Sequence, residues 1–309
     1  MTEDSVDYEN KPIILIIGKN GQVGWELQRS LSPLGDLVCC DRKKLDMSDS
    51  ENIRALVRDI KPDVIVNAAA YTAVDKAEEE VELATQINGV APGVLADEAR
   101  KINALLIHYS TDYVFNGASK SPYTETDIPD PINIYGESKL KGEFLIGQSN
   151  IDYVILRTSW VYASRGHNFL RSILRLARER EELNIVNDQI GSPTSARLIA
   201  DVSAQIIWQS LSQRKNNTFK SGLYHLVSAG YVSWFGFASK IVEYAGKYIG
   251  EEHIELKRML PIPTSEYPTP ARRPLSSRLS TDKISTQFSI YMPNWEQQLK
   301  LCIQELKES

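Results

Sequence analysis

Ile13-Ile14-Leu15-Ile16-Ile17-Gly18-Lys19-Asn20-Gly21-Gln22-Val23-Gly24 is an aliphatic run that breaks into a glycine loop and passes into the helical pattern of Gln22 to Leu31. The run is far short of the roughly 20 apolar residues that span a bilayer. It reads as a strand buried on both faces, as in a parallel sheet. Gly18 permits the tight turn, Gly21 lets backbone N–H groups approach a pyrophosphate, and Gly24 lets the helix pack close to the strand. Ordinary turns also use glycine, so the weight comes from context. The loop follows the first buried strand, and Asp41 ends the second strand about 20 residues on, where a ribose-binding acid belongs. Together they predict a dinucleotide site. Asp41 suits the 2′-hydroxyl of NAD(H), whereas Arg42, Lys43 and Lys44 beside it suit the 2′-phosphate of NADP(H), so both cofactors stay open.

Outward from this loop, Leu37 to Asp41, Asp63 to Asn67 and Ala104 to Tyr109 read as further buried strands. Gln22 to Leu31, Glu51 to Ile60 and Lys76 to Ile102 read as helices, the last broken near Gly89 to Gly93. Another helix begins near Tyr135, followed by a strand at Tyr153 to Leu156. The alternation predicts an α/β fold with a Rossmann-type doubly wound parallel sheet over residues 12–160. After residue 160 prolines cluster between Pro261 and Pro274. Helical stretches at Asn168 to Arg180, Ser195 to Ser210 and Trp234 to Tyr248 no longer alternate with strands. We read 161–309 as a smaller C-terminal substrate-binding lobe, with segments free to cross back to the sheet, and residues 1–11 as a loose tail.

Composition narrows the function class. The 309 residues are 42% hydrophobic and 24% charged, with 35 basic and 40 acidic groups giving −5. This balance argues against a nucleic-acid partner or a polybasic membrane surface, and against wholesale disorder. Cys39, Cys40 and Cys302 form no Cys-x-x-Cys site, and the acidic first eleven residues are no signal peptide. A reduced, cytoplasmic protein is expected.

Chemistry gathers in two short motifs. Tyr135-Gly136-Glu137-Ser138-Lys139 is the one place among fourteen tyrosines where Lys follows four residues later. On a helix both side chains share a face. A nearby ammonium favours phenolate, so Lys139 is expected to lower the pKa of Tyr135, making it a general acid toward a ketone oxygen. Lys139 would also reach the nicotinamide ribose. Tyr109-Ser110-Thr111-Asp112-Tyr113-Val114-Phe115 begins at the carboxyl end of the fourth strand, where ligands bind in open α/β sheets, and offers a hydroxyl to the developing alkoxide. His108, His167, His225 and His253 lack zinc-ligand spacing, and His108 reads as structural. No Gly-x-Ser-x-Gly elbow is present.

These motifs belong to a longer set: Gly-Lys-Asn-Gly-Gln-Val-Gly-Trp-Glu-Leu, Val-Asn-Ala-Ala-Ala-Tyr-Thr-Ala-Val-Asp, His-Tyr-Ser-Thr-Asp-Tyr-Val-Phe, Tyr-Gly-Glu-Ser-Lys, Arg-Thr-Ser-Trp-Val-Tyr, Asn-Asp-Gln-Ile-Gly-Ser-Pro-Thr and Tyr-Pro-Thr-Pro-Ala-Arg-Arg-Pro. The set resembles the dTDP-4-dehydrorhamnose reductase family of extended short-chain dehydrogenases, from about Ile13 to near Trp295. The resemblance implies NADPH- or NADH-dependent reduction of the C4 ketone of dTDP-4-dehydro-L-rhamnose, the last step toward an activated sugar for bacterial surface polysaccharide. It implies Thr111, Tyr135 and Lys139 as the catalytic set. Gly21, Gln22, Val23, Asp41, Asp46, Met47, Ala70, Tyr71, Thr72 and Tyr109 would line the cofactor site beside Gly18, Gly24, Tyr135 and Lys139. Thr111, Asp112 and Trp160 would touch the nucleotide sugar.

Charge alone makes Arg272 and Arg273 candidates for the substrate diphosphate, with an ion-paired or solvated loop as the equal alternative. Some family members hold Mg²⁺ at a dimer contact through glutamates. Glu26 matches one such position, but Arg197 stands where another glutamate would, and a cation beside Arg is unfavourable. A homodimer in which Arg197 pairs with Glu26 of the second copy, in place of the ion, is therefore expected. The alternatives are a sugar-nucleotide dehydratase or epimerase, for which residue 113 is Tyr where a dehydratase has its Glu base, and a regulatory subunit resembling the β subunit of methionine adenosyltransferase.

Overall fold

The computed structural model describes residues 11–307, so the tail expected over 1–11 lies, apart from Lys11, outside the described residues. The first half runs β1 (Ile13–Ile17), α1 (Gln22–Leu31), β2 (Asp36–Cys40), α2 (Ser50–Ile60), β3 (Val64–Asn67), α3 (Val74–Ala77) and α4 (Val81–Thr85). A π-helical turn (Gln86–Val90), α5 (Ala91–Ile102), β4 (Leu105–Thr111), α6 (Ile134–Gly147) and β5 (Tyr153–Thr158) follow. The second half adds β6 (Val161–Tyr162), α7 (Phe169–Glu179), β7 (Glu182–Val186), β8 (Ile190–Gly191), β9 (Thr194–Ser195), α8 (Ala196–Lys215) and β10 (Gly222–His225). It closes with β11 (Val232–Ser233), α9 (Trp234–Tyr248), β12 (Arg258–Ile262), β13 (Ser276–Ser277), α10 (Asp282–Phe288) and α11 (Trp295–Lys307).

The main sheet has the order β10-β5-β4-β3-β1-β2, and every pairing in it is parallel. This is the Rossmann-type doubly wound arrangement. Strand period two sends alternate residues to opposite helix layers. Ile14, Ile16, Val64, Val66, Leu105 and Ile107 share a core with Leu27 and Leu31 of α1 and with Ile199 and Ile206 of α8. Leu15, Ile17, Ile65 and Leu106 share the other with Ile53 and Val57 of α2 and with Leu95 and Ala99 of α5. The chain leaves β1 for β2 on one side and returns to β3 on the other. That reversal opens the crevice at the carboxyl ends of the strands where ligands of such sheets bind.

Three elements beyond residue 160 belong to this sheet layer: α8 packs on α1, β10 extends the sheet beyond β5, and α10 packs on both through Ile284 and Phe288. Helices α7, α9 and α11 form a separate apolar cluster centred on Ile173, Phe237, Ile241, Trp295 and Leu299. The long helix expected over Lys76 to Ile102 is interrupted before α4 and loosens into the π-turn, but Gly93 lies inside α5. Gly89 and Gly93 are small because α6 presses on them: a Cβ at either would stand 3.0 Å from Lys141 or Leu145. These glycines mark a helix contact, and only local pattern made them read as a break.

Candidate active site

The glycine loop forms a cradle between β1 and α1. The N–H groups of Gly18 and Lys19 both donate to the Cys40 carbonyl, at 2.9 and 3.0 Å, fastening the loop to the end of β2. Gly18 has φ +87°, and a Cβ there would stand 2.8 Å from the Ala69 nitrogen. A Cβ on Gly24 would stand 2.1 Å from the Gly18 carbonyl oxygen. Gly21 begins α1 without a side-chain cap. The first-turn N–H groups at Gln22 and Val23 therefore face outward beside the positive end of the helix dipole, which fits a pyrophosphate. Half-buried Asp41 follows β2. Its Oδ1 accepts from the Lys43 and Lys44 N–H groups at 3.1 Å, and Lys19 Nζ lies 3.6 Å from Oδ2. The Lys44 N–H chiefly holds the carboxyl below its usual range. The residues present fit a dinucleotide whose ribose meets a charged acceptor.

Other residues expected at the cofactor divide. Ala70 and Thr72 are exposed just beyond β3. Between them, Tyr71 is held by Asn88 of the π-turn, whose Oδ1 accepts from Tyr71 N–H at 2.8 Å and whose Nδ2 donates to the Tyr71 carbonyl at 3.0 Å. The same Nδ2 donates to Ser138 Oγ at 3.0 Å, joining this loop to α6. Asp46 accepts from Ser48 N–H and Oγ at 2.9 and 2.7 Å, while Met47 is buried in the core containing Leu45 and Ile53. Tyr109 sends its phenol away from the crevice to Ser203 of α8, 2.7 Å apart, and only its carbonyl faces the α6 side.

Asn133 starts α6 by accepting the Gly136 N–H at 2.8 Å, which sets Tyr135 in the first turn and Lys139 one turn further. Asn133 also donates to the Arg272 carbonyl at 2.8 Å. Tyr135 is half-buried against the edge of Tyr113, ring centres 5.8 Å apart, and its phenol lies beside the Thr111 side chain. Thr111 Oγ1 in turn donates to Asp112 Oδ1 at 3.1 Å. Burial pushes the Asp112 carboxyl up to about 6. It also pushes Tyr135 up to about 12, although the Thr111 side chain pulls the other way. The lowering expected from Lys139 is not found. The Lys139 head group is buried, donates to the Tyr109 carbonyl at 2.6 Å and lies 3.3 Å from His108 Nε2. Burial pushes it down to about 8, opposed by Glu143.

Trp160 adopts φ 48°, unusual for a bulky side chain. Its ring stacks on Trp234 at 3.5 Å, with interplanar angle 8°, and Gly191 leaves room for it. Trp234 Nε1 donates to Gln189 Oε1 at 3.2 Å. The two indoles make a rigid aromatic wall on the C-terminal side. Arg273 is not a free phosphate ligand: its fork pairs with Asp75, Nη1 to Oδ1 at 2.8 Å and Nη2 to Oδ2 at 2.7 Å. Arg272 is exposed. Arg197 Nε donates to Glu26 Oε2 of its own chain at 3.2 Å, and its Nη1 meets Glu305. This corrects the expected pairing across two copies, because α1, α8 and α11 converge within one chain. Among the described residues no group of three His, Cys, Asp or Glu is placed to hold a metal ion, and no helix is long and apolar enough to cross a membrane.

Sequence reasoning missed Asn88, Asp75 and Trp234. A π-turn has no simple pattern, and the last two meet partners 198 and 74 residues away in sequence, at Arg273 and Trp160.

The chain is similar to known proteins along nearly its whole length. Residues 12–308 match the family model described as RmlD substrate binding domain. A dTDP-4-dehydrorhamnose reductase of Burkholderia thailandensis is 49% identical over 293 residues, 95% of this chain and 98% of that one. Its Escherichia coli K12 counterpart is 47% identical over 297 residues, 95% and 97% of the two chains. The crystal structure of dTDP-4-dehydrorhamnose reductase from Bacillus anthracis in complex with NADP superposes with a TM-score of 0.87 at 37% identity, covering 96% of this chain and 100% of that one.

Proposed function

The chain belongs to the RmlD substrate binding domain family, and from that premise we infer that it reduces the C4 ketone of dTDP-4-dehydro-L-rhamnose to dTDP-L-rhamnose with NADPH or NADH. The carrying observation is the Thr111–Tyr135 hydroxyl pair at the carboxyl end of the parallel sheet, beside a glycine cradle shaped for a dinucleotide. A bound dihydronicotinamide supplies the hydride for the sugar C4. With its pKa near 12, Tyr135 keeps its proton at neutral pH and so arrives loaded as the acid for the alkoxide oxygen. The Thr111 hydroxyl, on turning its single proton from Asp112 to the same oxygen, stabilises negative charge as it grows there. The Lys139 head group is anchored by the Tyr109 carbonyl and would serve the ribose hydroxyls of the bound dinucleotide.

The α1 N-terminus with Gly18, Gly21, Gln22, Val23 and Gly24 holds the cofactor diphosphate, and Asp41 its ribose, with Ala70 to Thr72 closing the nicotinamide side. Thr111, Asp112 and Trp160 meet the nucleotide sugar, with Trp234 backing Trp160. A dehydratase would need a base at position 113, where burial instead pushes the Tyr113 phenol upward and keeps it protonated. We further place the enzyme in the cytoplasm as a homodimer, supplying rhamnose for surface polysaccharide such as the O-antigen of lipopolysaccharide. The test is oxidation of NADPH and of NADH with enzymatically generated dTDP-4-dehydro-L-rhamnose, with identification of the sugar product. Oxidation with formation of dTDP-L-rhamnose is expected; no oxidation of either cofactor overturns the reading.

A further inference from the structure

Beneath Lys139 lies a buried chain of polar groups that the reaction above does not use. Asn67, the last residue of β3, and His108 of β4 are each 1% exposed, and they face each other from neighbouring parallel strands. Asn67 Oδ1 accepts the Ala69 N–H at 3.2 Å, which fixes the amide so that Nδ2 points at His108 Nδ1, 3.1 Å away. An amide nitrogen only donates, so Nδ1 must accept. Burial and the nearby Lys139 hold the imidazole pKa well below its usual value, so the ring is neutral and carries its one proton on Nε2. That Nε2–H faces Lys139 Nζ at 3.3 Å.

We propose that His108, with its tautomer fixed by Asn67, is a positioning residue for the reduction, whose Nε2–H stabilises the free amine of Lys139 over the ammonium. An amine lone pair accepts from Nε2–H while an amine N–H still donates to the Tyr109 carbonyl, whereas an ammonium sets N–H against N–H. The other groups around Lys139 do not supply this bias. Glu143, one turn along α6, favours the ammonium, but its carboxylate is forked by Arg157 of β5 at 2.9 and 2.6 Å. The Tyr109 phenol is turned to Ser203, Asp112 is held by Thr111, and Asn88 of the π-turn is uncharged. Burial leads in bringing the Lys139 proton down to about 8, and the His108 donor acts in the same direction. In that range it can exchange protons with a site whose acid is spent once per turnover.

The inference rests on the assignment of Tyr135 and Lys139 given above, and its test separates the two. Long-range ¹H–¹⁵N correlation on ¹⁵N-histidine-labelled unaltered enzyme reads the tautomer directly. A pyridine-like Nδ1 and a pyrrole-like Nε2 for His108, unchanged from about pH 6 to about pH 9 on either side of the Lys139 value of about 8, are expected; the opposite tautomer overturns the proposal. In kinetics, kcat/KM should fall on an alkaline limb set by loss of the Lys139 charge. His108→Leu removes the donor and should carry that limb upward by about one pH unit, while His108→Gln, which keeps an N–H donor, should restore it toward its original position. A limb that stays in place in folded His108→Leu sinks the proposal while leaving the reductase assignment standing. Failure of that assignment appears instead as no cofactor oxidation by the unaltered enzyme.

Discussion

Tyr135 and Lys139 stand one helical turn apart, and burial drives them in opposite senses, the phenol up to about 12 and the amine down to about 8. Low dielectric disfavours whichever form is charged, so both groups are pushed toward neutrality. The pair read from sequence as an ammonium activating a phenol is, without ligands, a protonated acid and a labile base held by separate partners. Tyr135→Phe removes the transferable proton and keeps the ring against Tyr113. It should lower kcat by about 10²- to 10⁴-fold and leave NADPH affinity, measured by fluorescence titration, nearly unchanged. Undiminished turnover would overturn the acid role proposed for Tyr135. The Tyr-x-x-x-Lys spacing and the strand-end hydroxyl that nominate these residues were legible because they are local features. The charge states were not, because they depend on burial.

At the scale of elements, the site is held by contacts between helices as much as by the sheet. The π-turn between α4 and α5 carries Asn88, which binds both backbone groups of Tyr71 and the hydroxyl of Ser138. Asn88→Ala would leave buried partners unsatisfied. It should cost about 1–3 kcal/mol in urea unfolding and raise the KM for the cofactor through the freed Ala70 to Thr72 loop. A raised KM with full stability would show that Asn88 contacts the ligand and does not act through the loop.

Helices α2 and α5 are joined by Glu98, buried on α5, with Arg58 at 2.8 Å, Arg54 at 3.3 Å and Lys101 at 2.6 Å. Hydrogen bonding from Arg58 leads in holding its carboxyl down to about 2. Its folded pKa lies below its ordinary 4.5, so the unfolded chain binds the extra proton. The stabilisation is full above that ordinary value and is lost as pH falls toward about 2. Urea midpoints should decline through this window, and Glu98→Gln should flatten that part of the decline. A slope identical in the variant would place the acid sensitivity elsewhere.

At the scale of the whole molecule, the C-terminal part reaches the glycine loop through Asn168, which caps α7. Its Nδ2 donates to Gln22 Oε1 at 2.9 Å and to the carbonyls of Ala163 and Arg165 at 2.9 and 3.0 Å, while Oδ1 accepts the Arg171 N–H. Asn168→Asp keeps the cap but turns the donor into an acceptor facing three oxygens. It should weaken NADPH binding about 10-fold and lower stability by about 1–3 kcal/mol. An unchanged Kd for NADPH with lowered Tm would confine Asn168 to folding.

The sequence by itself determined the parallel sheet, the glycine cradle and the positions of Thr111, Tyr135 and Lys139, since apolar period, glycine spacing and helix spacing are properties of neighbouring residues. Only the tertiary structure decided that Asp75 occupies Arg273, that Arg197 meets Glu26 within one chain, that the Tyr109 phenol leaves the crevice and that His108 lies under Lys139. Those pairings join residues 31 to 198 positions apart. They are fixed by strand register and helix packing, which bring distant side chains within hydrogen-bond reach in ways that no local pattern encodes.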